Sequence, residues 1–198
     1  MLSLLERPFF YELHQRLNGW YTGAQQKIVD EFVRPNPSMR ILDVGCASGH
    51  VLRYIKGASY VGLDMNPRYI EAASAANPGK RFICADVATL AVSDIGQFDC
   101  VLLFGLLHHI DDQSASDLFS TLRKLVTANG RVISVDNCWT DGQSAFERFM
   151  VEHDRGKFAR TGDAYSALAR KSFPNVAYHI RKGMLRVPYS LLIMESSL

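Results

Sequence analysis

The sequence predicts a doubly wound α/β fold: a mostly parallel, seven-stranded sheet whose last two strands form an antiparallel hairpin. Three observations carry that prediction. From residue 40 onwards short apolar runs alternate with segments of helical period, and this alternation builds parallel sheets through right-handed crossovers. The run Phe98–Phe104 is almost wholly apolar, as a strand covered on both faces must be. Towards the C-terminus the rhythm changes: Val176, Tyr178 and Ile180 stand at period two, Gly183 turns, and an apolar run returns over 187–194.

Each element follows from local chemistry. Arg40–Val44 is an apolar run entering a glycine-rich turn, and Val51, Leu52, Tyr54 and Ile55 then recur at helical spacing up to Lys56 and Gly57, a helix stop. Residues 59–63 form the second strand. Asn66 and Pro67 supply an N-cap and a first-turn proline for a helix that halts at Asn77-Pro78-Gly79. Residues 81–85 and Phe98–Phe104 are strands three and four. A helix capped by Asp111 or Asp112 carries Ala115, Leu118, Phe119, Leu122 and Val126 on one stripe and ends at Asn129-Gly130, after which 131–135 is strand five. Ser144 and Glu147 match a capping box ahead of Phe146, Phe149 and Met150, and a second short helix covers 163–171. In the final hairpin Pro188 lacks the N–H that a paired strand needs, so a bulge is expected there.

A chain of 198 residues suits one domain. Hydrophobic residues at 47% and charged residues at 21% exclude a disordered or fibrous chain. Lys and Arg number 22 against 20 Asp and Glu, a net charge of +2 that points to neither nucleic acid nor a membrane as partner. The longest apolar stretch, 100–107, is too short to cross a bilayer, and the opening MLSLLERPFF lacks the apolar core of a signal peptide. Cys46, Cys84, Cys100 and Cys138 stand apart with no CxxC pair or zinc spacing. They are expected as buried free thiols in a reducing cytoplasm, with no metal site.

In doubly wound sheets ligands bind beyond the strand C-termini, and the chemistry-bearing residues fall there. ILDVGCASGH, residues 41–50, sets Gly45 and Gly49 between a strand and a helix: Gly45 allows a tight turn, and Gly49 lets the helix start close to a ligand. Glycines in such a place can equally serve the turn alone. Asp64 ends the second strand 19 positions after Gly45, where such folds hold ribose hydroxyls. Asp86 ends the third, suited to accept from an adenine amino group. The G-x-x-x-G spacing differs from the G-x-G-x-x-G of dinucleotide folds.

With ILDVGCASGH, YVGLDMNP, FICADVATL, FDCVLLFGLLHHIDD and ANGRVISVDN in that order, the chain resembles the class I S-adenosylmethionine-dependent methyltransferases over residues 40–137. The likeness is to the small-molecule, methyltransferase type 11/12-like branch, and the ending PYSLLIME is similar to that family's last two strands. The resemblance implies a Rossmann-like single domain, 1–198, with S-adenosylmethionine as cofactor. Within it, 1–36 would be a helical lid, 37–138 the cofactor-binding core, 139–173 a helical substrate-side insertion and 174–198 the hairpin. Asp43 would organise the loop and meet the methionine ammonium, directly or through water, while Gly45, Cys46, Ala47 and Gly49 pass the methionyl part. Asp64 would hold the ribose diol and Met65 pack on the adenine face. Asp86 and the Val87 backbone would read the adenine edge, and Phe104 and Gly105 would lie beside the sulfonium. Ala47 departs from the third glycine that many members carry. Plainer readings stay open, Asp43 as a turn acid and Met65 as a loop filler.

Methyl transfer is an in-line displacement in which alignment supplies much of the acceleration. A hydroxyl nucleophile also gains from a base, and His108 or His109 is the candidate, unless the LHH run serves only packing and loop order. Asp136 and Asn137, ending strand five at the same mouth, would orient the base or the substrate, or merely close a turn. The aromatic segment from Phe9 to Tyr21 would form the lid or pack as core. Arg148, His153, Arg155, Lys157 and Arg160 give the insertion a positive excess that would greet a phosphate or carboxylate on the acceptor, or be a solvated face. The expectation is methyl transfer to a hydroxyl group of a small metabolite, with an amino group second. FGLLHH stands where enzymes acting on nucleic-acid bases carry an Asn/Asp-Pro-Pro-aromatic run. Two other classes stay open: a sensor or partner subunit that binds the cofactor without turnover, and a nicotinamide-dependent oxidoreductase. Oligomeric state does not follow from the sequence.

Overall fold

The computed structural model of the chain describes Leu17 and residues 19–198. Most of the aromatic segment expected as a lid lies outside the described residues. Seven strands form one continuous sheet: β1 (Arg40–Val44), β2 (Ser59–Asp64), β3 (Arg81–Cys84), β4 (Phe98–Phe104), β5 (Val126–Trp139), β7 (Asn175–Arg181) and β8 (Leu191–Ser197). Their order is β3-β2-β1-β4-β5-β8-β7, with β8 antiparallel to both neighbours. A two-residue strand, β6 (Arg160–Thr161), pairs with the far end of β5.

The four longest α-helices among the described residues cover or flank the sheet: α1 (Pro67–Ala76), α2 (Asp112–Leu125), α3 (Ala145–Glu152) and α4 (Gly162–Arg170). Their starts are capped by side chains, because the first N–H groups of a helix have no partner within it. Asn66 Oδ1 accepts from the Arg68 N–H at 3.0 Å, and Asp111, not Asp112, caps α2 by accepting from the Ser114 N–H at 2.8 Å. At α3 the capping box is complete: Ser144 Oγ accepts from the Glu147 N–H at 3.1 Å and Glu147 Oε2 from the Ser144 N–H at 2.9 Å.

Period-two alternation divides the core into two layers. Leu42, Val101, Leu103 and Val132 face α2 and α4, whereas Ile41, Cys100, Leu102 and Ile133 face the helical segment of residues 20–33 through Ile28, Val29, Phe32 and Val33. Strand β4, buried on both faces from Cys100 to Leu103, is the centre of this arrangement.

Several boundaries differ from the sequence expectation. The helix expected from Val51 is a 3-10 turn, His50–Tyr54, entered through Gly49. Helix α2 stops at Leu125 rather than Asn129-Gly130, because the β-branched Val126 turns extended and pairs with Phe98. The last strand begins at Leu191 rather than at 187. Pro188 cannot donate to a ladder, Tyr189 turns back to the Val187 carbonyl at 2.9 Å, and the hairpin connection therefore runs through 182–190. Cys84 is exposed, whereas Cys46, Cys100 and Cys138 are buried. Among the described residues no helix is long and apolar enough to cross a membrane, and no three His, Cys, Asp or Glu side chains are grouped to hold a metal.

Candidate active site

Three cavities lie in line along the C-terminal ends of the parallel strands. The first, about 460 Å³, is lined by Gly45, Asp64, Met65, Asp86 and Val87 among others. A second, of about 20 Å³, shares Gly45 with it and adds Asp43, Cys46, Ala47, Trp20 and Phe104. The third, about 140 Å³, shares Trp20 and Phe104 with the second and is bounded by Gly105, His108, His109, Asp136 and Asn137.

The loop between β1 and the 3-10 turn is held by the neighbouring strand. Gly45 and Cys46 donate their N–H groups to the Leu63 carbonyl at 2.8 and 3.0 Å, and Ala47 donates to Asp64 Oδ2 at 3.0 Å. Gly45 has φ 77° and Ala47 has φ 47°, so an alanine occupies the left-handed region that favours glycine. Asp64 Oδ1 accepts from the Asn66 N–H at 2.8 Å. Each Asp64 oxygen thus has one backbone donor and keeps a lone pair for another, while its partial burial raises its pKa.

Among the described residues no loop N–H donates to Asp43. It is buried, accepts from the Tyr60 hydroxyl at 2.7 Å, and burial pushes its pKa up to about 7, with the nearby Asp64 charge adding to the rise. Asp86 caps the turn Val87–Thr89 by accepting from the Ala88 N–H at 2.9 Å through Oδ1. Met65, 69% exposed, stands on the rim of the large cavity. Gly49 departs from the set: it lines a separate groove with Arg53 and Lys80, and a side chain there would press on Phe82.

The third cavity is built around His108. Its Nδ1 lies 2.7 Å from Asp136 Oδ1, which also accepts from the His108 backbone N–H at 3.1 Å. Since a carboxylate only accepts, Nδ1 carries the proton and Nε2 is left towards Asp154 Oδ2 at 3.6 Å. Burial disfavours the imidazolium, but the Asp136 hydrogen bond and charge outweigh it, so the His108 pKa is raised; burial likewise raises that of Asp136. His109, with its ring centroid 4.1 Å from that of His108, is pushed down to about 4 by desolvation and the neighbouring His108, although part of its side chain stays exposed. It is therefore neutral near pH 7.

The insertion closes this cavity from the side. Phe158 donates its N–H to the His108 carbonyl at 3.0 Å, Asn137 donates through Nδ2 to Asp154, and Gly156 lies so close to His108 that an added Cβ would stand 1.9 Å from its Cδ2. Arg160, 8% exposed, reaches the Leu107 and Phe158 carbonyls at 2.9 Å, the Ile110 carbonyl at 2.8 Å and Asp112 at 2.7 Å. Of the basic residues expected to greet an anion, Arg160 is thus engaged inside the fold. Arg148 stands over the Trp139 ring, and only Arg155 lines the cavity.

Sequence reasoning missed Tyr60, Asp154, Gly156 and the far wall of Leu185, Tyr189 and Leu191. Tyr60 carried a usable signal, since its position in β2 puts it beside β1, the strand that carries Asp43. Leu191 opens β8, and Asp154, Gly156, Leu185 and Tyr189 sit in irregular segments where no spacing rule applies.

Comparison with known proteins gives a consistent picture. Residues 42–134 match the family described as "Methyltransferase domain". No curated protein sequence matches the chain. A TehB-like SAM-dependent methyltransferase from Corynebacterium glutamicum superposes with a TM-score of 0.62 at 15% identity, covering 89% of this chain and 88% of that one. Human N-acetylserotonin methyltransferase, solved in complex with SAM, gives a TM-score of 0.68 at 14% identity over 90% of this chain and 53% of its own. Geranyl diphosphate C-methyltransferase from Streptomyces coelicolor A3(2), solved with Mg2+, geranyl diphosphate and S-adenosyl-L-homocysteine, gives 0.66 at 13% identity over 88% and 79%. At these identities the likeness is one of fold.

Proposed function

We propose that the chain, which matches the family described as "Methyltransferase domain" over residues 42–134, is a class I S-adenosylmethionine-dependent methyltransferase, and that it methylates a hydroxyl group, with an amino group second, on a small molecule held in the 140 Å³ cavity. The observation that carries this reading is the line of three cavities joined at Gly45 and Phe104, with the His108–Asp136 pair at its far end. The family premise sets the nicotinamide alternative aside.

The residues present fit the cofactor. Asp64 keeps an acceptor on each oxygen for a diol, and Asp86 keeps Oδ2 unengaged among the described residues beside the same cavity. Met65 offers an apolar face that is otherwise left in water. Asp43 supplies a carboxylate at the second cavity, where an ammonium group would offset its burial. When bound, S-adenosylmethionine supplies a methyl group made electrophilic by its sulfonium.

On the acceptor side, His108 Nε2 takes the hydroxyl proton as the oxygen attacks. Asp136 fixes the ring by accepting from Nδ1 and stabilises the imidazolium that forms. A raised pKa suits a base working near neutrality. His109 lines the wall in its neutral form.

A pH profile tests the assignment, using the first acceptor found by screening hydroxylated and aminated small molecules for methyl transfer. At saturating cofactor, kcat is expected to rise through a pKa above the ordinary histidine value, because only unprotonated His108 accepts the proton. His108→Gln is expected to lower kcat by ~10²–10⁴-fold with cofactor affinity unchanged. An acidic limb near 4 would move the role to His109, and equal losses in turnover and binding would make His108 structural.

A further inference from the structure

The 140 Å³ cavity has a polar end that only accepts. Asp136 is 1% exposed and Asn137 5% exposed, both line the cavity, and Asp136 Oδ2 and Asn137 Oδ1 have no hydrogen-bond partner among the described residues. The Asn137 amide orientation is fixed by its neighbour: Nδ2 must donate to the Asp154 carboxylate, so Oδ1 is the orphan. Buried acceptors left unpaired are unfavourable, and each calls for a donor that the protein does not itself supply. Three side-chain donors beside this end are engaged elsewhere. His108 Nδ1 faces Asp136 Oδ1, Asn137 Nδ2 faces Asp154, and the Tyr189 hydroxyl donates to the Met150 carbonyl at 3.2 Å. Arg155, the one guanidinium in the described lining, is exposed to solvent.

The remaining walls are apolar or aromatic: Trp20, Phe104, Val135, Leu185 and Leu191. A volume of about 140 Å³ is close to the ~150 Å³ apolar cavity that accommodates a benzene molecule. Flat aromatic walls with a ring-sized volume favour a single planar ring over an extended chain.

We propose that the acceptor is a monocyclic, ring-sized compound carrying hydroxyl or amino donors that hydrogen-bond to Asp136 and Asn137, and that a carboxylate or phosphate on that inner edge is rejected. This rests on the proposed methyltransferase site and narrows its substrate class. A lone anion would meet the Asp136 carboxylate and the Asn137 carbonyl with nothing to donate, so like charge and unpaired acceptors both act against it. Of the insertion's arginines, Arg160 and Arg148 are engaged away from the cavity, and Arg155 stands at its solvent-exposed side rather than at the buried edge.

The test is titration calorimetry of the whole protein with five probes: phenol, resorcinol and 3-aminophenol as donors, anisole as a ring without a donor, and benzoate as a ring with an anion. Each is titrated into the protein alone and again with S-adenosylhomocysteine present. Since the acceptor atoms belong to the chain, the probe panel decides this inference. A parallel titration with S-adenosylhomocysteine alone decides the methyltransferase reading. Resorcinol and 3-aminophenol are expected to bind at least roughly tenfold more tightly than anisole or benzoate, the equivalent of about 1.4 kcal/mol for an unpaired acceptor. Comparable or tighter binding of benzoate or anisole overturns the inference, as does the absence of saturable binding by every donor probe.

Discussion

The two ends of the ligand cleft are built differently. At the proposed cofactor end Asp64 is held by Asn66 two residues on and by Ala47 of the preceding loop, Asp86 by Ala88 two residues on, and Asp43 by Tyr60 of the adjacent strand. Around the acceptor cavity the contacts join distant parts of the chain, with His108 to Asp136, Leu107 to Arg160, Asn137 to Asp154 and Met150 to Tyr189. The cofactor end is therefore a property of the sheet and its short turns. The proposed acceptor cavity is an assembly of four separate segments, the turn after β4, the end of β5, the insertion and the hairpin connection. That arrangement suits a family in which one cofactor is shared and acceptors differ, because the insertion can change without disturbing β1 to β3.

The contrast can be broken most forcefully at Arg160. Arg160→Met leaves the buried Leu107 carbonyl and the Ile110 carbonyl without their donor. It is expected to lower stability by about 3 kcal/mol, or roughly 6–12 °C in Tm for a chain of this size. Thermal unfolding reads that loss, and S-adenosylhomocysteine affinity measured on the same preparation is expected to stay within about twofold, because additivity holds for separated sites. A matching loss of affinity would mean the two ends are one unit.

Asp64→Ala reverses the pattern. Cofactor affinity is expected to fall by ~1–3 kcal/mol as the Ala47 N–H and the ribose hydroxyls lose their acceptor, while binding of ring probes in the acceptor cavity stays unchanged. Calorimetry with both ligand types checks the separation, and unchanged cofactor affinity would remove Asp64 from the site.

A subtler pH effect comes from Asp43. With its pKa pushed up to about 7, the group is increasingly protonated as pH falls below that value. Only the ionised form attracts an ammonium, so cofactor affinity is expected to weaken by several-fold from pH 8 to pH 6, and Asp43→Asn to bind more weakly but with a flat profile. Titration at a series of pH values measures the slope, and a pH-independent wild type would show that Asp43 does not meet the ligand's charge.

The smallest expected effect is a gain. Ala47 sits at φ 47°, and Ala47→Gly relieves a left-handed alanine at the price of a more flexible unfolded chain. A net stabilisation of up to ~1 kcal/mol is expected, read as a modest rise in Tm with cofactor affinity retained.

The residues proposed for the cofactor end are ones that short spacing rules single out. Strand-ending acids at Asp64 and Asp86 and the Gly45 turn all lie within a few residues of the elements that position them. Gly49 shows the limit of such rules: it sits next to the loop, yet its role is close packing against Phe82. His108 and Asp136 were both legible as candidates at strand ends, but nothing in the sequence says that they touch, or that burial and the adjacent His108 push the His109 pKa down. The hairpin was readable as a type of element and misplaced in extent, since alternation over 187–190 mimics a strand that Pro188 prevents.

By itself the sequence determined the alternation of strands and helices, the apolar centre at β4, the helix caps and the loop chemistry at the strand ends. These depend on residue type and spacing, which act over one or two turns of chain. Only the tertiary structure decided that Arg160 serves the fold rather than a substrate, that Gly156 and Asp154 enclose His108, and that Asp136 and Asn137 keep buried acceptors at the cavity. Those outcomes depend on which surfaces meet when the insertion packs back onto β4 and β5, a long-range contact that no local pattern in the chain encodes.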